Sequence, residues 1–157
     1  MLDEISNMTE LDLSTIDAIA VAGGPGSFTG LRIGSATAKG LGLALEKPLI
    51  SIPTTAAIAY NIWDTDKFVC PIMDARRNQV YTGVYCYTDH RLDTVWEQDT
   101  MSIEALAEGL NCLDHEVIFL GDGVAVYREI RGTADDSVFL CTGTRQPPES
   151  GSRRSTG

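Results

Sequence analysis

The chain alternates between short apolar runs and longer segments whose apolar residues have helical spacing. The apolar, partly β-branched runs at 16–22 and 49–52 predict buried strands. Residues that open a helix follow each run: Ser27 or Thr29 can cap one over about 30–45, and Pro53 precedes another over about 54–63. A strand–helix–strand–helix order with short links predicts an α/β fold.

Past Asp66 the pattern changes to alternation with a period of two. Residues 79–87 place Val80, Thr82, Val84 and Cys86 on one face of a strand and tyrosines on the other. The elements predicted around it are a strand at 68–73, a hairpin turn at 74–78, a strand at 94–99, a helix from Ser102 to Leu110, a strand at 116–120 and a helix near 124–130. We place a subdomain boundary near 64–67, so that residues 1–66 and 67–140 form two units.

The two ends of the chain differ from its middle. Residues 1–11 have apolar positions spaced by three and predict the end of a helix. Residues 141–157 contain no large apolar side chain, so burial cannot offset the entropy of ordering them, and we predict a disordered tail.

Charge argues against direct nucleic-acid binding. The formal net charge is −10, and the last 17 residues carry three arginines against one glutamate, so residues 1–140 carry −12. Tight binding to RNA or DNA depends on neutralising phosphates with lysine and arginine. A partner would therefore have to hold any nucleic acid. The acidic start and the lack of a long apolar run predict a cytoplasmic protein without membrane contact.

Residues 23–30 form a glycine-rich loop between the first strand and the first helix. Such a loop, with Gly23, Gly24, Pro25, Gly26, Ser27, Phe28 and Thr29, can hold a phosphate at the helix N-terminus. A Walker loop would continue with lysine after its last glycine, and the dinucleotide motif would need one residue fewer before Gly30. Two interpretations stay open: a tight strand-to-helix turn, or a phosphate contact.

The predicted helix after the loop carries two ridges of small residues with four-residue spacing. One ridge is Gly30, Gly34, Ala38 and Gly42, and the other is Ala36, Gly40 and Ala44. Each interior glycine costs about 1 kcal/mol relative to alanine, which the close approach of another backbone can offset. Both ridges can face the interior, or one can dock a partner helix. We assign Gly30, Gly34, Ala38 and Gly42, framed by Arg32 and Lys39, to a partner interface.

At this point the residues resemble a known family. Residues 23–34, Gly-Gly-Pro-Gly-Ser-Phe-Thr-Gly-Leu-Arg-Ile-Gly, closely resemble the signature segment of the TsaB (YeaZ) family. Residues 36–45, residues 47–50 and Thr54 are similar to the helix and strand that follow it. Residues 73–81, Met-Asp-Ala-Arg-Arg-Asn-Gln-Val-Tyr, are similar to the family's second recurring segment. The resemblance covers about 5–140.

The resemblance implies an actin/Hsp70-like (ribonuclease-H-like) fold of two subdomains and a non-catalytic role. TsaB is a scaffold subunit of the machinery that makes N6-threonylcarbamoyladenosine in tRNA. It pairs with the catalytic paralogue TsaD through its glycine-rich helix, and the ATPase TsaE joins them. The resemblance implies that this chain alone binds no cofactor and contacts tRNA only through the complex. ATP or ADP would bind at the interface that the two subunits share. For the chain without a partner, both a monomer and a homodimer stay open.

The chain departs from the family at both ends. The family's opening strand and hairpin do not precede Met1, and the segment from about Cys141 does not resemble the family. The fold is therefore expected to be incomplete at both ends, with an open sheet edge.

Two enzyme classes are the alternatives. A nucleotide-dependent phosphotransferase of the actin and sugar-kinase fold would use an acidic residue such as Asp74, with Arg76 beside it, although Asp74 is better interpreted as a hydrogen-bond acceptor in the turn. A metal-dependent glycoprotease is much less favoured, because His90 and His115 lie 25 residues apart without a second histidine at helical spacing. We expect no metal site, and the four cysteines, with no CxxC pair, are expected to be reduced.

Overall fold

A computed structural model describes residues 12–126, the backbone of residues 138–140 and three single positions before residue 12. The elements of this part, in chain order, are a short 3-10 turn (Leu13–Thr15), β1 (Ile19–Gly24), α1 (Phe28–Leu45), β2 (Leu49–Pro53), α2 (Thr54–Ala59), β3 (Phe68–Asp74), β4 (Gln79–Thr88), β5 (Arg91–Ser102), α3 (Ile103–Asn111), β6 (Val117–Leu120), α4 (Gly123–Val126) and β7 (Val138–Leu140).

Local chemistry sets both ends of α1. The side chain of Ser27 accepts a hydrogen bond from the N–H of Gly30 at 3.3 Å, so Ser27 is the N-cap. At the other end Glu46 takes a left-handed φ of 52°, and the N–H of Lys47 donates to the carbonyl of Gly42 at 3.0 Å. The predicted cap at Ser27 is confirmed, and the helix begins two residues earlier than predicted.

The first sheet is a parallel pair, β1 beside β2, with Ile19 opposite Leu49 and Ala22 opposite Ile52. α1 covers one face of this pair through contacts with β1 and β2. On the opposite face, where alternate side chains point, Ala20, Ala22 and Ile50 are exposed. The first sheet is therefore covered by α1 on one face only, among the described residues.

The second sheet has five strands in the order β5-β4-β3-β6-β7. Strand β3 pairs antiparallel with β4 and parallel with β6, and β4 pairs antiparallel with β5. The turn between β3 and β4 is the predicted hairpin at 74–78, and β5 continues the sheet as expected but is longer than 94–99.

The hydrophobic core lies on both faces of the second sheet. One cluster combines the inward residues of β3 and β4 with α3, namely Cys70, Ile72, Val80, Val84, Leu106 and Leu110. The other cluster places α2 against the opposite face, with Ala59, Val69, Tyr85 and Leu120. The predicted alternation along β4 is confirmed, because Val80, Thr82 and Val84 are buried on one side and Tyr85 on the other.

The α/β prediction is confirmed, with differences at element ends. Helix α2 stops at Ala59 and not near residue 63, and β1 runs over Ile19–Gly24 and not over 16–22. The predicted boundary near 64–67 lies between α2 and β3, where the chain passes from the first sheet to the second; the division into subdomains stays a prediction. The expectations for the helix end over 1–11, the end of the helix past Val126 and the tail at 141–157 lie outside the described residues. None of the described helices has the length and apolarity needed to cross a membrane.

Candidate functional site

The glycine loop is a tight turn from β1 into α1. Gly24 has a φ of +104°, a backbone conformation that side-chain-bearing residues rarely adopt, and the following peptide bond to Pro25 is cis. A Cβ at residue 24 would also lie 3.2 Å from Cδ1 of Leu31. The turn therefore requires glycine at this position, which agrees with a tight strand-to-helix turn. Phosphate contact by the loop stays a prediction.

A cleft of about 390 Å³ lies between the glycine loop and the second sheet. One wall is the loop with Leu31, and the other comes from β4 and β5; the lining residues are Gly23, Gly24, Pro25, Gly26, Leu31, Tyr81, Gln98, Asp99 and Thr100. Asp99 Oδ1 accepts a hydrogen bond from the N–H of Thr100 at 2.7 Å. The cleft thus joins the first sheet's loop to polar side chains of the second sheet.

A buried hydrogen-bond network fixes Gln98 at the edge of this cleft. Gln98 Oε1 accepts from the backbone N–H of Thr55 at 3.3 Å and from its hydroxyl at 2.8 Å. Since the Thr55 hydroxyl hydrogen is used there, the hydroxyl of Tyr85, 2.7 Å away, donates to Thr55 Oγ1. Burial raises the pKa of the Tyr85 phenol, and the Thr55 hydrogen bond lowers it in part. Sequence reasoning missed this network because its members lie 30 and 43 residues apart.

One ridge of α1 packs on the chain's own first sheet. Ala38 is 5% exposed and Gly42 is also buried. A Cβ at residue 42 would lie 3.0 Å from Cδ2 of Leu49 and 3.1 Å from the carbonyl oxygen of Lys47. A Cβ at Gly34 would lie 4.0 Å from Val21 of β1. This ridge therefore lets α1 approach β1 and β2 closely.

The other ridge faces outward. A Cβ at Gly40 would meet nothing within 4 Å, and Ala36 and Ala44, one turn to either side, are exposed. Large apolar side chains border the ridge, with Ile33 63% and Leu43 84% exposed. We call Ile33, Ala36, Gly40, Leu43 and Ala44 the outer face of α1. A largely apolar helix face with a central glycine permits close packing by a second helix.

This geometry corrects part of the predicted partner interface. Ala38 and Gly42 are buried, Gly42 beside Leu49 of β2, and Gly34 is half-buried beside β1, so these three positions are not open to a partner. Gly30, Arg32 and Lys39 are exposed, and the guanidinium of Arg32 lies over the ring of Phe28, 4.1 Å from its centroid. The ridge of Ala36, Gly40 and Ala44 is the exposed one of the two.

The Asp74–Arg76 turn has the predicted structural role. Asp74 Oδ1 accepts from the N–H of Arg76 at 2.8 Å, and the N–H of Asp74 donates to Asp122 Oδ1 at 3.4 Å. Arg76, Arg77 and Asn78 follow with left-handed φ values of 65°, 53° and 59°. The hydrogen-bond acceptor role of Asp74 in the turn is confirmed, and a nucleotide contact by Asp74 or Arg76 stays a prediction.

The two histidines lie apart in the structure. His90 Nδ1 contacts Asp64 Oδ2 at 2.6 Å, and His115 stacks on Phe68 with ring centroids 4.4 Å apart. Within residues 12–126, no three histidine, cysteine, aspartate or glutamate side chains come together as metal ligands. Cys70, Cys86 and Cys112 are free thiols.

Comparison with known proteins decides the family. The family model described as "TsaD: tRNA N6-adenosine threonylcarbamoyltransferase" matches residues 1–146. The chain belongs to this family. Curated relatives from several bacteria carry the name TsaB, so the resemblance to the TsaB family is confirmed.

The TsaB relatives cover most of this chain. The tRNA threonylcarbamoyladenosine biosynthesis protein TsaB of Bacillus subtilis (strain 168) is 37% identical over 143 residues, which are 90% of this chain and 61% of the relative. The protein of the same name from Escherichia coli (strain K12) is 32% identical over 78% of this chain and 54% of its own length. The chain thus spans less than two thirds of these relatives.

Solved structures give the same assignment. YeaZ from Pseudomonas aeruginosa matches with a TM-score of 0.74 and 27% identity, over 92% of this chain and 67% of that one. A crystal structure of an uncharacterized protein with similarity to peptidase YeaZ, from the same organism, matches with a TM-score of 0.75 and 27% identity, over 90% of this chain and 65% of that one. The actin/Hsp70-like fold expected from the TsaB resemblance is therefore confirmed.

Proposed function

We propose that this chain is a non-catalytic scaffold subunit in the biosynthesis of tRNA threonylcarbamoyladenosine, docking a TsaD-type partner through the outer face of α1. The relatives' names supply the process. The observation that carries the docking role is the open space at Gly40, between exposed apolar side chains on a helix whose opposite face is already packed. A TsaE-type ATPase joining this pair is part of the same proposal.

The geometry of α1 favours a helix as the docked element. Without a side chain at Gly40, a partner backbone can approach α1 as closely as the chain's own sheet does at Gly42. Ile33 and Leu43 would then lose their exposed apolar surface to the partner. Arg32 and Lys39, both exposed, provide cations at the border of the contact.

The acidic charge supports an indirect role toward tRNA. With a formal charge of −10, this chain repels a phosphate backbone, so the partner has to supply the cationic surface for RNA. ATP or ADP at the shared subunit interface extends the proposal: the glycine loop directly precedes α1, so nucleotide held near the loop would lie close to the docked partner.

The test uses Gly40→Leu, measured by light scattering after size exclusion with a TsaD-type partner. We expect the native chain to give a discrete heteromeric peak and Gly40→Leu to give separate peaks, because the new side chain keeps the helices apart. Gly40→Ala is the matched control: it adds one methyl group to the same position, and we expect the complex to be weakened much less.

Two further measurements make the result decisive. Circular dichroism should show that Gly40→Leu folds like the native chain, since residue 40 faces open space. Gly42→Leu, by contrast, is expected to damage the chain's own fold, because its side chain would collide with Leu49. A complex that forms equally well with folded Gly40→Leu would rule out docking through the outer face of α1.

A further inference from the structure

A second exposed surface, away from α1, is built from three aromatic rings. Tyr60 and Trp63 follow α2, and Tyr87 stands near the end of β4. The ring of Tyr87 meets both others edge to face, with centroids 6.4 Å from Tyr60 and 5.5 Å from Trp63. We call these three residues the aromatic patch. Tyr60 is 52% and Trp63 62% exposed, so the two outer rings present large apolar surface to solvent.

The patch contains a polar atom that its own fold leaves unused. The hydroxyl oxygen of Tyr87 is buried and has no hydrogen-bond partner among the described residues. Leaving a buried polar group unpaired is unfavourable, and such groups in native structures call for an explanation. A hydrogen-bond donor from a bound partner would satisfy this oxygen.

A carboxylate borders the patch. Asp64 directly follows Trp63. The pKa of the Tyr87 phenol is raised first by burial, then by Tyr60, and then by the negative charge of Asp64, which therefore lies near the ring. One oxygen of Asp64 is held by His90 at 2.6 Å. The segments that form the patch, residues 60–66 and 87–91, carry three aspartates against one arginine. The surface around the rings is therefore acidic.

We propose that the aromatic patch and Asp64 bind a cationic side chain, arginine in particular, on a partner protein. The faces of tryptophan and tyrosine rings attract cations, and a guanidinium can stack on a ring while it donates to a carboxylate and to a hydroxyl. RNA bases also stack on aromatic rings, but an RNA strand would bring phosphates against the three aspartates. The charge therefore favours a basic protein segment over RNA.

The test titrates the full 157-residue chain with N-acetyl-arginine amide and follows the two tryptophan indole N–H signals by NMR. We expect the Trp63 signal to shift and the Trp96 signal to stay, since Trp96 packs under α3 at Gly109. N-acetyl-citrulline amide is the matched probe, because it has nearly the same shape without the charge. We expect the citrulline probe to bind about two- to fivefold more weakly, as measured from the shift of the Trp63 signal, which is the range expected for an exposed cation–π contact.

Variants separate this site from the docking role of α1. Asp64→Asn should keep the fold and weaken the binding of the arginine probe several-fold. Gly40→Leu should leave this binding unchanged. The proposal is overturned if citrulline and arginine act alike, if Trp96 responds as Trp63 does, or if Asp64→Asn has no effect. A short RNA that shifts Trp63 more strongly than the arginine probe would also overturn it and assign the patch to base stacking.

Discussion

At the scale of single residues, burial alters the chemistry of one thiol. Cys70 is fully buried between the second sheet and α3, and its sulfur lies 3.3 Å from Thr82 Oγ1. Desolvation raises the pKa of this thiol from 9.0 to about 12, and the Thr82 hydrogen bond opposes only part of that shift. Cys112, which directly follows α3, is exposed.

The raised pKa predicts a loss of stability in alkali. Between pH 9 and 12 the unfolded chain has released the Cys70 proton and the folded chain has kept it, so unfolding becomes easier as the pH rises. We expect Cys70 to contribute a loss of about 1 kcal/mol at pH 10. Urea unfolding of the native chain and of Cys70→Ala at pH 7.5 and 10 isolates this contribution; equal losses in both proteins would contradict it.

The Thr55 network predicts a destabilised variant with a control next to it in the sequence. Thr55→Val removes the hydroxyl that Tyr85 and Gln98 share and leaves the buried Tyr85 hydroxyl without its acceptor, so we expect a loss of about 1–3 kcal/mol in the free energy of unfolding. Thr54→Val is the control, because the buried Thr54 hydroxyl has no hydrogen-bond partner among the residues that the structure describes, and its removal should cost little. Urea denaturation measures both, and comparable losses would show that the network contributes no stability.

At the scale of elements, α1 depends on its N-cap. Ser27→Ala removes the side-chain acceptor that caps the first turn, and we expect a loss of about 1 kcal/mol in the free energy of unfolding. Ser35→Ala, inside the same helix, should raise the free energy of unfolding, since alanine is the better helix former there. Thermal unfolding of the two variants gives the comparison, and a Ser27→Ala variant as stable as Ser35→Ala would exclude the capping role.

The same helix shows what could be predicted from the sequence. Its start, its end and its two ridges follow from local residues, so Ser27, Lys47 and the four-residue spacing of small side chains were sufficient to predict them. Which ridge faces inward depends on where β1 and β2 lie, and no local pattern contains that information. The spacing therefore assigns Ala38 and Gly42 to a partner interface, whereas the fold buries both, and the open position at Gly40 lies on the other ridge.

At the scale of the whole molecule, the order of strands and helices was predictable and the contacts between distant segments were not. Alternation identified β4 and both of its faces, because one period-two segment contains the whole signal. The cleft beside the glycine loop, the Thr55–Tyr85–Gln98 network and the aromatic patch each join residues far apart in sequence. Only the fold brings such residues together.

The first sheet is covered by α1 on one side, and the outer face of α1 is itself exposed, so the stability of this chain depends on what binds it. The outer face of α1 is apolar surface that a partner docked there would remove from water. Binding to the folded form alone stabilises it by mass action. The melting temperature should therefore rise with the concentration of a docking partner. A melting temperature of this protein has a defined meaning only when the partner concentration is given with it.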